Sequence, residues 1–498
     1  MVKRIPDKEQ IKLGIKSLDF NIPNNHISRF LVEFIDEYFP LLQIKEKKKK
    51  KGRDSFPVKE MLKILIYAKI EHIDSMRFLA DMVKFHDIYK FVGCGIQPSE
   101  RSLQRYRQEY GKYFNEILKM TLKKAVDAGF TEFNNVSIDG TIKKAYNSKN
   151  KIITEKETEI LTRYFEGDSV SQEELDKLHK PAREILENEK INMQEKLYLL
   201  DEIKTQFTLS GQKSVPITDI KSRWIKSKKG NLQISYNIQS AVDYDTKMIC
   251  AINVVQAPTD HYQLPKIVDK AINNTNVLPR FVLADTIYLN EISLSYLADK
   301  HIDGVIPDRK QSNEKIGRLN KNPYHKDYFK YLSEIDAFEC PEGQIMYFFN
   351  KYVEKTEDPE KQDKIKRLYC NYSACKACNC RENCLSSTQT HKTITEYGGS
   401  LKKAMWEKME SDEYKEVYSR RSSVEGPFGI LKEQFNIESE VVIGKRKTEE
   451  RLLLDAVAYN LIRLYNLKQE KGNDKEDIVD FCEKISVQEK LELRATIF

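Results

Sequence analysis

The sequence predicts an α/β core preceded by an all-helical module and interrupted by two insertions. Three observations carry this reading. Up to about residue 128, apolar residues recur at helical spacing, as in Met61, Leu62, Leu65, Ile66 and Ile70. From Phe133 to Pro307, short β-branched runs alternate with helical stretches, the texture of a sheet layered with helices. Two segments break that alternation: a Glu/Lys-rich stretch at 147–215, and a stretch near 310–400 that holds six of the nine cysteines.

At 498 residues the chain has room for two or three domains, and 40% hydrophobic with 32% charged residues is a globular composition. A net charge of +7 permits a nucleic-acid partner without singling one out. No apolar run of membrane-spanning length occurs, and Met1-Val-Lys-Arg-Ile-Pro-Asp lacks the apolar core of a secretion signal. The expected setting is therefore the reducing cytoplasm, where clustered cysteines argue for metal rather than disulfides.

Taken in order, Phe30–Phe39 reads as a short amphipathic helix. The run from Lys45 to Arg53 is a solvated linker or a non-specific grip on a DNA backbone. Pro57 opens the next helix. After the break at Gly93–Pro98, Ser99 is placed to cap a helix carrying Arg101, Arg105 and Arg107, which suits either a nucleic-acid groove or a helical docking module. Asn135-Val-Ser-Ile-Asp139-Gly reads as a buried strand ending in an aspartate, whose carboxylate is then either a cleft residue or a cap. Residues 147–215 read as a long helical hairpin, a projecting arm. A two-strand hairpin follows, Asn231–Asp243 and Met248–Val255, turning at Tyr244-Asp245. Thr259-Asp260-His261 leads into a helix. Arg280-Phe-Val-Leu-Ala-Asp285 is a second strand ending in an aspartate. Near the end, Glu449–Tyr465 reads as a strongly amphipathic helix, and 471–498 as a mixed-charge tail.

Tyr418, Arg421, Glu425 and Lys432 stand at offsets of 3, 7 and 14, which on one continuous helix fall within roughly 60°. Such a stripe is either a solvated face with an Arg421–Glu425 pair, or a place where Glu425 holds a cation through oxygen while Arg421, Lys432 and Tyr418 grip a phosphodiester. Pro427 is expected to kink the helix or restart it. In the cysteine segment, Cys375-Lys-Ala-Cys378 supplies two thiols from one tight turn, with Cys384 and Cys340 available to close a tetrahedral zinc site; Cys370 and Cys380 are spare or substitute ligands, and a redox role is the rival reading. Cys94, Cys250 and Cys482 read as isolated, buried small hydrophobes.

The spacing Tyr418…Arg421…Glu425…Lys432 resembles the YREK signature of DDE-type transposases of the insertion-sequence-four superfamily. Ala284-Asp285-Thr-Ile-Tyr288 resembles that family's second motif, with Ile287 where the family usually has glycine. Asp219…Arg223…Tyr236-Asn237…Gln239…Asp243 resembles its hairpin region, and Cys340…Cys375-x2-Cys378-x5-Cys384 resembles a cysteine pattern many relatives carry. Phe56-Pro57…Leu65…Tyr67…Pro98…Leu103…Arg105-Tyr-Arg107 resembles the family's N-terminal domain, which binds element ends.

The resemblance implies an RNase H-like catalytic core over 131–310 and 401–470, a helical DNA-binding domain over 1–130 and a zinc-ribbon-like insertion over 311–400. It implies Asp139, Asp285 and Glu425 as carboxylates holding Mg2+ or Mn2+, and DNA contacts from Tyr418, Arg421, Lys432, Arg101 and Arg105. It further implies a structural Zn2+ on Cys340, Cys375, Cys378 and Cys384. The expected activity is cleavage and strand transfer at terminal inverted repeats, with double-stranded DNA as partner, a homodimer on that DNA and a nucleoid-associated location. The rival functions are an inactive DNA-binding descendant and a nuclease without strand transfer.

Overall fold

The computed structural model describes residues 17–44, 55–227, 230–315, 317, 320–354, 364–397, 400–419, 421, 425–435, 437 and 442–472. The basic run Lys45–Arg53, Cys482 and the tail beyond 472 lie outside these residues. The chain divides into two compact units, one of residues 1–113, 123–130 and 457–498, the other of 114–122 and 131–456.

The first unit is helical. Its central helix, Val58–Ile70, begins after Pro57 and is buried on nearly every side, including Lys63, whose ammonium meets Asp36 at 2.7 Å. That pairing lets a charged side chain sit in an apolar bundle. Helix Glu100–Tyr110 is capped by Ser99, whose hydroxyl accepts from the Ser102 amide. Leu103, Tyr106 and Tyr110 turn inward from it, while Arg101, Gln104, Arg105 and Gln108 are exposed. Cys94 departs from its expected burial: it is exposed, in a left-handed turn at φ 49° just before Gly95.

The second unit is built on a six-stranded sheet. Its strands are β1 (Asn135–Lys144), β2 (Arg223–Lys226), β3 (Leu232–Asp243), β4 (Ile249–Val255), β5 (Phe281–Leu283) and β6 (Asp303–Val305). β1 lies centrally, antiparallel to β3 and parallel to β5, and β6 extends the parallel side. β2 and β4 share the outer edge of β3, both antiparallel to it. Helices Leu264–Thr275 and Glu291–Asp299 connect these strands. The hairpin and the strand–helix alternation follow the sequence pattern. β1 differs from expectation, because it does not end at Asp139. Twelve-residue β3 keeps pairing with it, from Val136↔Asp243 to Lys144↔Ser235, so Asp139 sits mid-strand opposite Ser240.

The segment expected to be one long hairpin is four helices, Glu155–Glu166, Gln172–Asp176, Lys180–Glu187 and Met193–Ser210. Gly167 ends the first in a left-handed cap, capping boxes at Ser171 and Asn192 start the second and fourth, and Pro181 opens the third. These signals divide the segment into short helices around a core of its own, including Leu161, Ile185, Leu200 and Ile203. A short ladder, Ile152–Thr154 with Ser214–Pro216, closes its base.

The cysteine segment carries a five-stranded antiparallel sheet (Lys330–Leu332, Ala337–Glu339, Ile345–Glu354, Lys364–Cys370, Thr393–Tyr397) and two short helices, Tyr372–Ala377 and Arg381–Cys384. The last helix, Lys445–Gly472, also differs from expectation. Residues 451–462 are buried on every face, Arg451, Asp455 and Asn460 included, so it is a sheathed helix rather than an amphipathic one.

Candidate active site

The parallel pairing of β1 with β5 brings the two aspartates together. Asn135, Val136 and Ser137 pair with Phe281, Val282 and Leu283, and that register carried two residues on sets Asp139 level with Asp285. β5 has ended by then, so Asp285 lies beyond the ladder. It caps a short 3-10 turn, its Oδ1 accepting from the Ile287 amide at 3.1 Å. Ile287 adopts no positive φ in this turn, which removes the need for the family's glycine.

The signature is not one helix. Tyr418 lies on helix Asp412–Ser419 and Arg421 has 3-10 conformation. Glu425 is the first residue of helix Glu425–Glu433, and Lys432 stands near its end. Pro427 lies near the start of the second helix, where its missing amide is tolerated, whereas in a helix interior it would cost a hydrogen bond. The Glu425 side chain lies outside the described residues. The Arg421 guanidinium reaches back to Asp139, Nη2 to Oδ1 3.5 Å. The chain beyond this helix is tied to the same sheet. Buried Lys143 of β1 donates to the Ile437 carbonyl, and the Gly444 amide donates to Asp219 Oδ2 at 3.1 Å. Asp219 Oδ1 in turn accepts from the Tyr236 hydroxyl at 2.5 Å.

Three further residues stand near this centre, of which Gln239 and Tyr288 lie in the resembling motifs and Asp260 lies in neither. Asp260 presses its carboxylate onto Gly140, where an added Cβ would stand 2.6–2.8 Å from its carboxylate atoms. Gln239 donates to Asp260 and accepts from the hydroxyl of Tyr288 at 2.6 Å. Burial first, and then Asp260, Asp139 and Asp285, hold the Tyr288 phenol well above its usual range, against the pull of Arg421. Tyr288 therefore keeps its proton and serves as a donor. The close approach at Gly140 predicts that Gly140→Ala costs about 1–3 kcal/mol by overpacking. In thermal unfolding, the double variant with Asp260→Ala should cost less than the sum of the two single changes, because the carboxylate that the added Cβ meets is then gone.

The four cysteines expected to bind zinc line one small cavity. Cys340 enters from a turn in which the Gln344 amide donates to its sulfur at 3.3 Å; Cys375 and Cys384 enter from the two short helices and Cys378 from the residue that ends the first. Burial pushes the Cys384 thiol up; Lys392 opposes this, and Cys375, Cys378 and Cys340 add to the rise. Cys370 is buried among Phe338, Met346 and Tyr369, and Cys380 does not line the cavity. Four sulfurs converging on one cavity fit zinc by donor chemistry. Two or more carboxylates at the sheet centre fit a hard divalent cation.

Residues 339–465 match the family model described as "Transposase DDE domain", and residues 16–109 match the "Transposase domain (DUF772)". No curated protein matches the chain. The chain thus carries a DDE transposase domain behind a second transposase domain, which supports an enzyme acting on DNA. The DDE match includes the cysteines from Cys340 on and the Tyr418–Lys432 signature, while Asp139 and Asp285 precede it. Among the described residues, no helix is long and apolar enough to cross a membrane.

Proposed function

We propose that the chain is a transposase of the insertion-sequence-four superfamily, cutting DNA at the terminal inverted repeats of its element and joining the freed 3′ end to a target. Asp139, Asp285 and Glu425 are its catalytic carboxylates. The observation that carries this reading is the Arg421–Asp139 contact, which brings the signature segment to the strand bearing the first aspartate. The sheet order β4-β3-β1-β5-β6, with only β3 antiparallel to its neighbours β1 and β4, supports an RNase H-like core. A divalent cation bound there would supply Lewis acidity and lower the pKa of the attacking water. Arg421, with a forked guanidinium beside Asp139, is placed to hold a non-bridging phosphate oxygen, and Lys432 adds charge on the same helix as Glu425. Tyr418 stacks on a base or donates to a phosphate. A homodimer on paired ends is the working form, and Zn2+ on the four thiols is structural.

The exposed Arg101 and Arg105, on a capped helix, mark the surface of the first unit that contacts element ends. Replacing each with alanine should weaken DNA binding and reduce the slope of log affinity against log salt by about 1 for each arginine removed, read in a salt titration of a labelled end. The activity is tested by incubating a labelled repeat end with the protein in magnesium or EDTA. Nicking at the repeat boundary in magnesium alone is expected. Binding without any cut, with both ends supplied, favours a non-enzymatic DNA-binding descendant.

A further inference from the structure

Asp260 comes from the turn that follows β4, away from the strands that bear Asp139 and Asp285, yet its carboxylate lies against the residue after Asp139. Its Oδ1 accepts from Asn237 Nδ2 at 2.7 Å and from Gln239 Nε2 at 2.5 Å. Gln239 Nε2 also reaches Asn237 Oδ1 at 2.8 Å, and Gln239 Oε1 receives the Tyr288 hydroxyl at 2.6 Å. Asn237, Gln239 and Tyr288 are 2%, 0% and 0% exposed. Buried amides need full satisfaction, and here two of them aim their N–H groups at one acceptor. An acceptor-only carboxylate fits that demand. It orients Gln239, which then presents its carbonyl to Tyr288, three residues after Asp285.

We propose that Asp260 is a positioning residue of the Asp139–Asp285 centre, whose fixed charge beside Asp139 and amide relay to Tyr288 set that centre's affinity for a divalent cation. The inference rests on the metal-dependent reading above. Asp260 acts through its neighbours rather than as a ligand. Its Oδ1 is engaged by two amides, one of which receives the Tyr288 hydroxyl on its own carbonyl. The same packing explains why the residue after Asp139 is a glycine: the space that a Cβ would take is filled by the Asp260 carboxylate.

The test is a Mn2+ titration of the full chain without DNA, following the electron paramagnetic resonance signal of free Mn2+. A magnesium titration of cleavage runs in parallel. Asp260→Asn keeps the shape and an acceptor oxygen but loses the charge. It should weaken Mn2+ binding roughly 10-fold and raise the half-maximal magnesium by a similar factor, with thermal unfolding unchanged. Asp260→Glu keeps the charge and should stay within about threefold of wild type for Mn2+, even where its melting temperature falls. Asp245→Asn, at an exposed turn carboxylate, should change neither. Wild-type Mn2+ affinity in Asp260→Asn, with or without a loss of stability, overturns the inference. A wild type that binds Mn2+ but cuts no DNA overturns the transposase reading while leaving the role of Asp260 standing. A wild type that takes up no Mn2+ overturns both.

Discussion

Asp139→Asn, Asp285→Asn and Glu425→Gln are each expected to reduce DNA cleavage by roughly 10³-fold or more, about 4 kcal/mol of transition-state stabilisation, while leaving binding to element ends intact. Each substitution preserves volume and removes one charge. The effect should therefore fall on the chemical step and on metal affinity rather than on folding. Asp139 is held within β1 by pairing on both sides of its position, and Asp285 caps its own turn, so neither backbone depends on the carboxylate's charge. Single-turnover cleavage with prebound ends separates the loss of chemistry from any loss of binding. Combining two of these substitutions should cost little more than one, because the carboxylates act as a unit. Arg421→Ala should behave differently. It frees Asp139 from its guanidinium and removes a phosphate grip, so the rate falls while the metal requirement does not rise.

Loss of zinc should have the second large effect, on stability. Cys378→Ser is expected to abolish stoichiometric zinc and unfold the segment around 330–397 at temperatures where the wild type holds it. The sheet there is small. Its buried core includes Phe329, Phe338, Met346, Tyr369, Cys370 and Ile394, while Tyr347, Phe349 and Tyr352 are exposed. So thin a core gains heavily from a structural ion, whose binding to comparable small sites contributes on the order of 10 kcal/mol. Cys380→Ser serves as the internal control, since its side chain does not line the cavity, and it should retain zinc. Elemental analysis together with thermal unfolding, before and after a strong chelator, reads both outcomes.

The core sheet was legible because its signals are local. Period-two alternation in 231–243 and 249–255 and the two apolar runs ending near Asp139 and Asp285 report strands directly. The errors arise where a partner overrides a local signal. Asp139-Gly140 looks like a strand end, but β3 is long enough to keep pairing through it, and Gly140 answers to the Asp260 carboxylate instead. A single α-helical stripe through Tyr418, Arg421, Glu425 and Lys432 is not what forms, since Tyr418 lies on one helix, Arg421 has 3-10 conformation, and Glu425 and Lys432 lie on another helix with Pro427 near its start. Periodicity in 147–215 identifies helix, but it is the caps at Gly167, Ser171 and Asn192 that divide it. The Asp260–Gln239–Tyr288 relay has no local signature, because three separate turns and strands deliver it to one place.

On the proposed reading, Asp139, Asp285 and Glu425, from three distant segments, together hold the divalent metal. Iron-directed cleavage of the polypeptide tests this most directly. Fe2+ is substituted for magnesium, ascorbate and peroxide are added, and the backbone fragments are mapped. Cuts clustered near 139, 285 and 425 together, suppressed by excess magnesium and lost in Asp139→Asn, are the expected result. Cuts near only one of the three segments, or a pattern that magnesium does not suppress, would contradict the account.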